Sequence, residues 1–172
     1  RTFPAEVSAN FQNVGDEEFV AAFARDVTDR RLAEQRLKLF EKVFDNALEG
    51  ITVTDHRGDI VSVNPAFTLI TGYTADEALG QNPRILKSDR HPPEFYKAMW
   101  SEIIKKGQWY GEIWNRRQSG EAYPEWLSSR ALKDRGRTTT YVAVFHDLRE
   151  MQRKEDKILH QASHDALTNL PN

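Results

Sequence analysis

A strand–turn–strand–helix pattern across residues 50–73 constrains the fold of this chain more than any other stretch. Apolar and polar residues alternate from Ile51 to Asp55, which is the period of a half-buried strand. The letters HRGD then supply turn residues, and IVSV is long enough for a second short strand. Asn64 can cap a helix that begins at Pro65, where a missing N–H costs nothing. This stretch therefore predicts a β-hairpin that leads directly into a helix.

The following residues predict one more long helix and three more strands. Residues 94–106 carry apolar side chains at helical spacing, and Gly107 ends the helix. The predicted strands are Trp109 to Asn115, Glu121 to Leu132 and Thr139 to Leu148. Together with the first hairpin they make five strands, so the expected fold class is α+β, a five-stranded antiparallel sheet with helices on one face.

The helix after the hairpin carries a family resemblance. Its sequence, N-P-A-F-x-x-I-T-G-Y, resembles the opening of a PAS domain, a sensory α/β module of bacterial signalling proteins. The similarity continues through residues 75–80 to about Leu148, with the motifs in the same order and at the same spacing. The resemblance implies a PAS domain over residues 49–148, with room for a small molecule between sheet and helices. An unrelated small α+β domain is the alternative.

An internal repeat explains the first 28 residues, which themselves predict two strands. Arg1 to Ser8 matches Glu121 to Ser128, and Val20 to Val27 matches Tyr141 to Leu148. Residues 1–28 therefore resemble the last two strands of a preceding PAS domain whose front half is missing. A lone hairpin is marginal in water, so we expect it to pack on the complete domain, a second copy or a partner chain.

Two connecting helices are predicted, one on each side of the complete domain. Residues 29–48 carry an apolar stripe with spacings of three and four. The stripe can cover its own domain or form a parallel coiled coil, and we favour contact between two subunits along residues 32–40. Residues 149–163 continue with a heptad-like pattern that Glu155 interrupts. A homodimer is therefore the expected assembly.

Both helices start from a similar joint. Asp26-Val27-Thr28 fits the D-[AIV]-[ST] pattern that links the last strand of a PAS domain to its outgoing helix. Asp147-Leu148 begins the same way, but Arg149 replaces the hydroxyl residue. The resemblance implies that the acid fixes the last strand to the helix.

The final residues, 164–172, point to an output domain. Their sequence HDALTNLPN resembles the D-x-L-T-x-L-x-N that opens GGDEF domains, the diguanylate cyclase fold. The alternative is a bare helix end with a proline stop. The resemblance implies a signalling protein in which the PAS module relays a signal to a cyclase that makes cyclic-di-GMP. Whether an EAL phosphodiesterase domain follows stays open.

The composition and the absence of certain motifs argue against several other functional classes. The sequence shows no catalytic motif and no metal-spaced cluster, so we expect no enzyme activity and no metal site in this piece. Cysteine is absent, which excludes disulfides and thiolate chemistry. A net charge of −2 gives no reason to expect nucleic acid. No apolar run approaches the roughly 20 residues of a membrane span, and a cytoplasmic setting is expected.

Flavin is the cofactor that the sequence leaves most open. The flavin–thiol photosensors of the family carry N-C-R-F-L, where this chain has N-P-R-I-L with Pro83 in place of the cysteine. Redox sensors that hold FAD are more similar, because their W-x-G-x-x-x-N-R-R resembles residues 109–117. That resemblance implies that Asn115 meets the isoalloxazine edge and that Trp100 or Trp109 stacks on the ring.

Haem and a core without a cofactor are the alternatives to flavin. Haem needs an axial ligand, and His91 lies near the expected place, but in a polar loop where we expect it to be solvated. The tryptophans can also be ordinary sheet and interface residues. A core without a retained cofactor is the favoured expectation, flavin comes second and haem last.

Overall fold

The structure is a computed structural model that describes residues 2–14 and 17–149. The chain divides into two compact units, one up to Val43 and one from Phe44 onward, which are described separately. The predicted second connecting helix, apart from its first residue, and the GGDEF-like residues 164–172 lie outside the described residues.

The first unit contains an antiparallel hairpin followed by most of a long helix. Its elements are β1 (Ala5–Val14), β2 (Glu17–Asp26) and α1 (Thr28–Asn46), the last of which continues into the second unit. No residue of α1 is buried, and its apolar Leu37 and Phe40 are 60% and 70% exposed. An exposed apolar stripe of this kind is what a helix needs to pair with another helix.

The hairpin of the first unit has the same strand register as the last two strands of the second. Ala5 lies opposite Asp26, just as Glu125 lies opposite Asp147, and the pairs that follow correspond in the same way. This common register supports the internal repeat. That residues 1–28 are the end of a preceding PAS domain stays a prediction.

The second unit is a five-stranded antiparallel sheet with helices, as the α+β assignment predicts. Its strands are β3 (Gly50–Asp55), β4 (Ile60–Val63), β5 (Gln108–Arg116), β6 (Ala122–Asp134) and β7 (Arg137–Asp147), in the spatial order β4-β3-β7-β6-β5. Its helices are α2 (Pro65–Thr71), α3 (Ala75–Ala78), a 3₁₀ turn (Pro83–Leu86) and α4 (Pro93–Lys106).

Asn64 ties the first hairpin of this sheet to the helix that follows. Its Oδ1 accepts hydrogen bonds from the backbone N–H of Phe67 at 3.0 Å and of Ile51 at 2.8 Å. The Nδ2 atom donates to the carbonyl of Glu49 at 2.9 Å, and Asn64 is only 1% exposed. The predicted helix cap is therefore present, and it also fixes the edge of β3.

The core of the second unit consists of two apolar clusters. One contains Phe67, Tyr123 and Phe145 near α2, and the other contains Met99 and Ile103 of α4 with apolar residues of β5. Leu127 of β6 packs against both clusters. The space between α4 and the sheet, beside this second cluster, contains the cavity.

Candidate ligand cavity

A cavity of about 940 Å³ lies between the sheet, the 3₁₀ turn and α4. Small-molecule sites are commonly about 300–1,000 Å³, so this volume is enough for a ligand of cofactor size. The buried side chains of the wall are mostly apolar on the helix side and partly polar on the sheet side: Leu86, Met99 and Ile103 against Thr52, Thr54, Asn115, Glu125 and Ser129.

The sheet side of the cavity has a polar end, where the carboxyl group of Glu125 is buried. Glu125 is 1% exposed, and its Oε1 accepts a hydrogen bond from Asn115 Nδ2 at 2.8 Å. The hydroxyl of Tyr123 donates to Oε2, also at 2.8 Å. Burial raises the pKa of Glu125 to about 8, although the two hydrogen bonds act in the opposite direction. At neutral pH this carboxyl group is therefore mostly in its neutral form.

A second set of contacts connects this polar end to the end of β7. The guanidinium of Arg117 lies 4.2 Å from the centre of the Tyr123 ring and forms an ion pair with Asp147. Oδ1 of Asp147 accepts a hydrogen bond from the backbone N–H of Arg149 at 2.8 Å. A continuous and largely buried set of hydrogen bonds, a cation–π contact and an ion pair therefore joins the cavity to the first residues after the sheet.

The joint after β2 has the same local geometry as the joint after β7. Asp26 Oδ1 accepts from the backbone N–H of Thr28 at 2.9 Å, as Asp147 does from Arg149. The Thr28 hydroxyl adds a second hydrogen bond to Asp26 at 2.6 Å. At the second joint Arg149 instead reaches back to the Glu121 carboxylate at 2.9 Å, so a different side chain fastens the outgoing segment.

Two buried hydroxyl groups of the cavity wall have no hydrogen-bond partner within the described chain. They are Thr54 Oγ1 and the Tyr96 hydroxyl. Thr54 is 5% exposed, so bulk water does not replace the missing partner. A buried hydroxyl without a partner costs roughly 1–3 kcal/mol, and a ligand with polar atoms at this place would recover part of that cost.

The residues that the sequence assigns to flavin do not all meet in this cavity. Asn115 and Trp100 line it, and Trp100 makes an edge-to-face contact with Tyr141 at 5.5 Å. Trp109 is not among the lining residues and packs edge-to-face on Phe95 at 6.0 Å. The stacking role is therefore open to Trp100 and not to Trp109 in this arrangement.

His91 is partly exposed, rather than fully solvated as the sequence predicts. Its ring stacks on Phe95 with 4.0 Å between centroids, and Nε2 accepts a hydrogen bond from the backbone N–H of Trp114 at 2.9 Å. Burial lowers the pKa of His91. Because the Nε2 lone pair is occupied and the ring does not line the cavity, His91 does not fit the role of a haem ligand.

Sequence reasoning missed the role of Glu125. The period of the strand puts Tyr123, Glu125 and Leu127 on one face, but it does not tell whether that face is buried. An acidic residue at an inward position of an alternating strand was the available signal, since a buried acid needs hydrogen-bond partners.

An antiparallel sheet with a cavity between it and its helices defines a small α+β domain with room for a ligand. The chain belongs to the PAS domain family, whose sequence profile matches residues 48–150. Within the described residues there is no helix long and apolar enough to cross a membrane, and no group of potential metal ligands.

The relatives of this chain are signalling proteins. A nitrogen fixation regulatory protein of Klebsiella oxytoca is 34% identical over 118 residues, which is 68% of this chain and 24% of that protein. A blue-light-activated histidine kinase of Brucella canis is 41% identical over 64 residues, 37% of this chain and 13% of the kinase. This chain thus spans about a quarter or less of the length of these relatives.

Among solved structures, a PAS domain from Colwellia psychrerythraea superposes with a TM-score of 0.62 at 22% identity. The match covers 67% of this chain and 98% of that domain. At this identity the similarity establishes the fold alone, and it agrees with the five-stranded sheet described above.

Proposed function

We propose that this chain is a sensory PAS module that dimerises through its connecting helices and relays a signal to a C-terminal diguanylate cyclase. The observation that carries the proposal is the buried connection from the cavity through Glu125, Tyr123 and Arg117 to Asp147. A ligand that changes the polar end of the cavity can alter the contact that fixes the segment after β7. Signal relay requires such a differential effect on two states of the outgoing segment.

Two further features support this assignment. The regulatory relatives show that PAS modules of this kind occur in larger signalling proteins. The sequence of residues 164–172 resembles the start of a GGDEF domain, which supplies the identity of the output. The cyclic-di-GMP assignment depends on that resemblance alone.

The test uses the longer protein that continues beyond residue 172. Purified protein is incubated with GTP, and cyclic-di-GMP is quantified by chromatography, for the wild type and for Asp147→Asn. The proposal expects product from the wild type and a changed rate from the variant, since Asp147→Asn loses the ion pair with Arg117. Absence of product would overturn the cyclase assignment, and an unchanged rate would overturn the relay.

The second candidate function is a redox sensor that binds FAD. Asn115 and Trp100 both line the cavity and could hold an isoalloxazine ring by hydrogen bonding and stacking. The fit is partial, because Asn115 Nδ2 already donates to Glu125 and because Pro83 and Arg84 occupy the wall where polar contacts to the ring are wanted. When bound, the flavin itself would supply the electron transfer.

An absorption spectrum of the purified chain decides between these two candidates. Absorption bands at about 370 and 450 nm would indicate a retained flavin. A spectrum without visible bands would leave the colourless-ligand sensor and the ligand-free dimerisation module. Those two differ in whether any small molecule changes the cyclase rate of the longer protein.

A further inference from the structure

The outer part of the cavity wall carries an unusual concentration of positive charge. Five exposed cationic side chains line the opening, and we refer to them as the cationic mouth: Arg57, Arg84, Lys87, Lys97 and Lys105. They come from the β3–β4 turn, the 3₁₀ turn and its end, and α4. Elements that are distant in sequence therefore bring their cations to one opening.

These charges are not neutralised by ion pairs of the described chain. None of the five residues takes part in a salt bridge within 4.0 Å. Among the described residues, Glu125 is the only acidic residue of the cavity wall, and it lies buried at the polar end. The whole chain has a net charge of −2, so the positive opening is a local feature and not a consequence of composition.

The interior of the cavity indicates what enters it. The buried α4 residues Met99 and Ile103 are apolar, whereas Thr54 Oγ1 and the Tyr96 hydroxyl are buried without hydrogen-bond partners in the described part of the chain. An apolar wall with unsatisfied hydroxyl groups suits an organic molecule that carries some polar atoms. A cleft with low-dielectric walls and charges of one sign concentrates counter-ions at its opening.

We propose that the cavity selects organic anions, with the apolar body of the ligand between α4 and the sheet and its carboxylate, sulfonate or phosphate at the cationic mouth. This inference deepens the proposed sensory function and depends on it. Lys97 and Lys105 of α4 are expected to contribute most to binding of the anionic group, because the other three cations also contact protein groups or lie on turns. Lys87 is already placed over the Tyr96 ring at 4.7 Å.

The test compares two fluorescent probes that share one apolar skeleton and differ in a sulfonate. They are 8-anilino-1-naphthalenesulfonate, an anion, and N-phenyl-1-naphthylamine, which is neutral. Each is titrated into the purified chain at low and high NaCl, and displacement of the neutral probe by the anionic one shows that they share a site. We expect the anion to bind about tenfold tighter at low salt, with the difference shrinking at high salt.

Charge-removing variants locate the effect. Lys97→Gln and Lys105→Gln should each weaken binding of the anionic probe severalfold and leave the neutral probe unchanged. Lys106→Gln is the matched control, since Lys106 lies on the same helix but pairs with Glu102 at 2.7 Å and does not line the cavity. Circular dichroism confirms that the variants are folded.

The outcomes separate this inference from the proposed function. Equal affinity for both probes, or an equal loss in the Lys106→Gln control, would overturn anion selection and leave a cavity that still binds ligands. Failure of both probes to bind would overturn anion selection and also remove the support for a ligand-sensing cavity.

Discussion

Glu125 and Asp147 lie directly opposite each other on β6 and β7, with only 1% and 4% of each residue exposed. Opposite residues of an antiparallel pair project to the same face, so two acids share the inner side of the sheet. One cation, Arg117, pairs with Asp147, while Glu125 is held by Tyr123 and Asn115. Two like charges in one buried site are unfavourable, which is consistent with a neutral Glu125 beside an ion-paired Asp147.

This arrangement predicts how stability depends on pH. The pKa of Glu125 is raised to about 8 in the folded chain from an ordinary 4.5. The folded state therefore binds the proton more tightly, and this contribution to the free energy of unfolding is complete below about 4.5 and is lost as the pH rises through about 8. The loss is on the order of 5 kcal/mol.

The variant Glu125→Gln should remove most of that pH dependence. The amide cannot ionise, so its urea midpoint should stay nearly constant between about pH 6.5 and 9, where that of the wild type falls. Glu94→Gln, at an exposed position of α4, is the control and should keep the wild-type profile. A wild-type profile for Glu125→Gln would contradict the assignment.

The partial burial of His91 predicts that the free energy of unfolding changes with pH in the opposite direction, and does so at lower pH. Its folded pKa lies below the ordinary 6.5 because the ring is partly buried, and protonation would replace the acceptor at Nε2 with a second donor facing the Trp114 N–H. The unfolded state then binds the proton more tightly, so stability is lost as the pH falls below about 6.5.

The variant His91→Gln tests this expectation. Because Glu125 stabilises the chain as the pH falls over the same range, His91→Gln is made in the Glu125→Gln background. Its side-chain carbonyl can still accept from Trp114, and the loss of thermal stability between about pH 7 and 5 should be smaller than in Glu125→Gln alone. The exposed His56→Gln, in the same background, is the control and should lose stability as Glu125→Gln alone does. An identical decrease in His91→Gln would show that another group is responsible.

The elements of the second unit could be predicted because their signals are local. Asn64-Pro65 starts α2 through a cap and a proline that depend only on adjacent residues, and Gly107 ends α4 in a left-handed conformation with φ 79°. The internal repeat placed β1 and β2 because two copies of one pattern pair in the same register.

The site was harder to predict because its contacts are distant in sequence. His91 is held by Trp114, a contact between residues 23 positions apart, and no local pattern shows it. The period of β5 could place Trp109 and Trp114 on opposite faces, but not decide which face the cavity uses. The assignment of Asn115 rests on a family motif, whereas its partner Glu125 lies outside that motif.

Replacing Arg117 should lower the free energy of unfolding strongly, because its side chain is only 20% exposed and contacts several elements. It donates to the carbonyl of Ile70 in α2, pairs with Asp147, and stacks on Tyr123. Arg117→Met keeps much of the apolar volume but leaves Asp147 buried without its cation, which should cost roughly 3 kcal/mol.

The neighbouring Arg116 provides the matched control. It pairs with Asp89, whose side chain is 96% exposed, so Arg116→Met should cost less than about 1 kcal/mol. Chemical denaturation of the two variants measures the difference. Similar losses would show that the ion pair with Asp147 has no special role in the fold.

The exposed stripe of α1 predicts a dimer that a single charge can weaken. Phe40 is 70% exposed within one chain, and Phe40→Glu would place a charge in a helix–helix contact. Light scattering during gel filtration should show a dimer for the wild type and a shift toward monomer for the variant. Leu69→Glu on α2 is the control, since Leu69 is 85% exposed and lies outside the stripe. A wild-type monomer would contradict the expected homodimer.

Gly50 predicts a specific packing conflict at the start of β3. It pairs with Phe145 on β7, and a Cβ atom at Gly50 would overlap the Phe145 ring, which is only 2% exposed. Gly50→Ala should therefore destabilise the chain by about 1–3 kcal/mol, the usual cost of overfilling a packed core.

Phe145→Leu alone should also destabilise, because it leaves a void beside Phe67. In the double variant the added methyl group occupies space that the ring has left, so the combined loss should be smaller than the sum of the single losses. Additive losses in urea unfolding would mean that the ring moves aside at little cost.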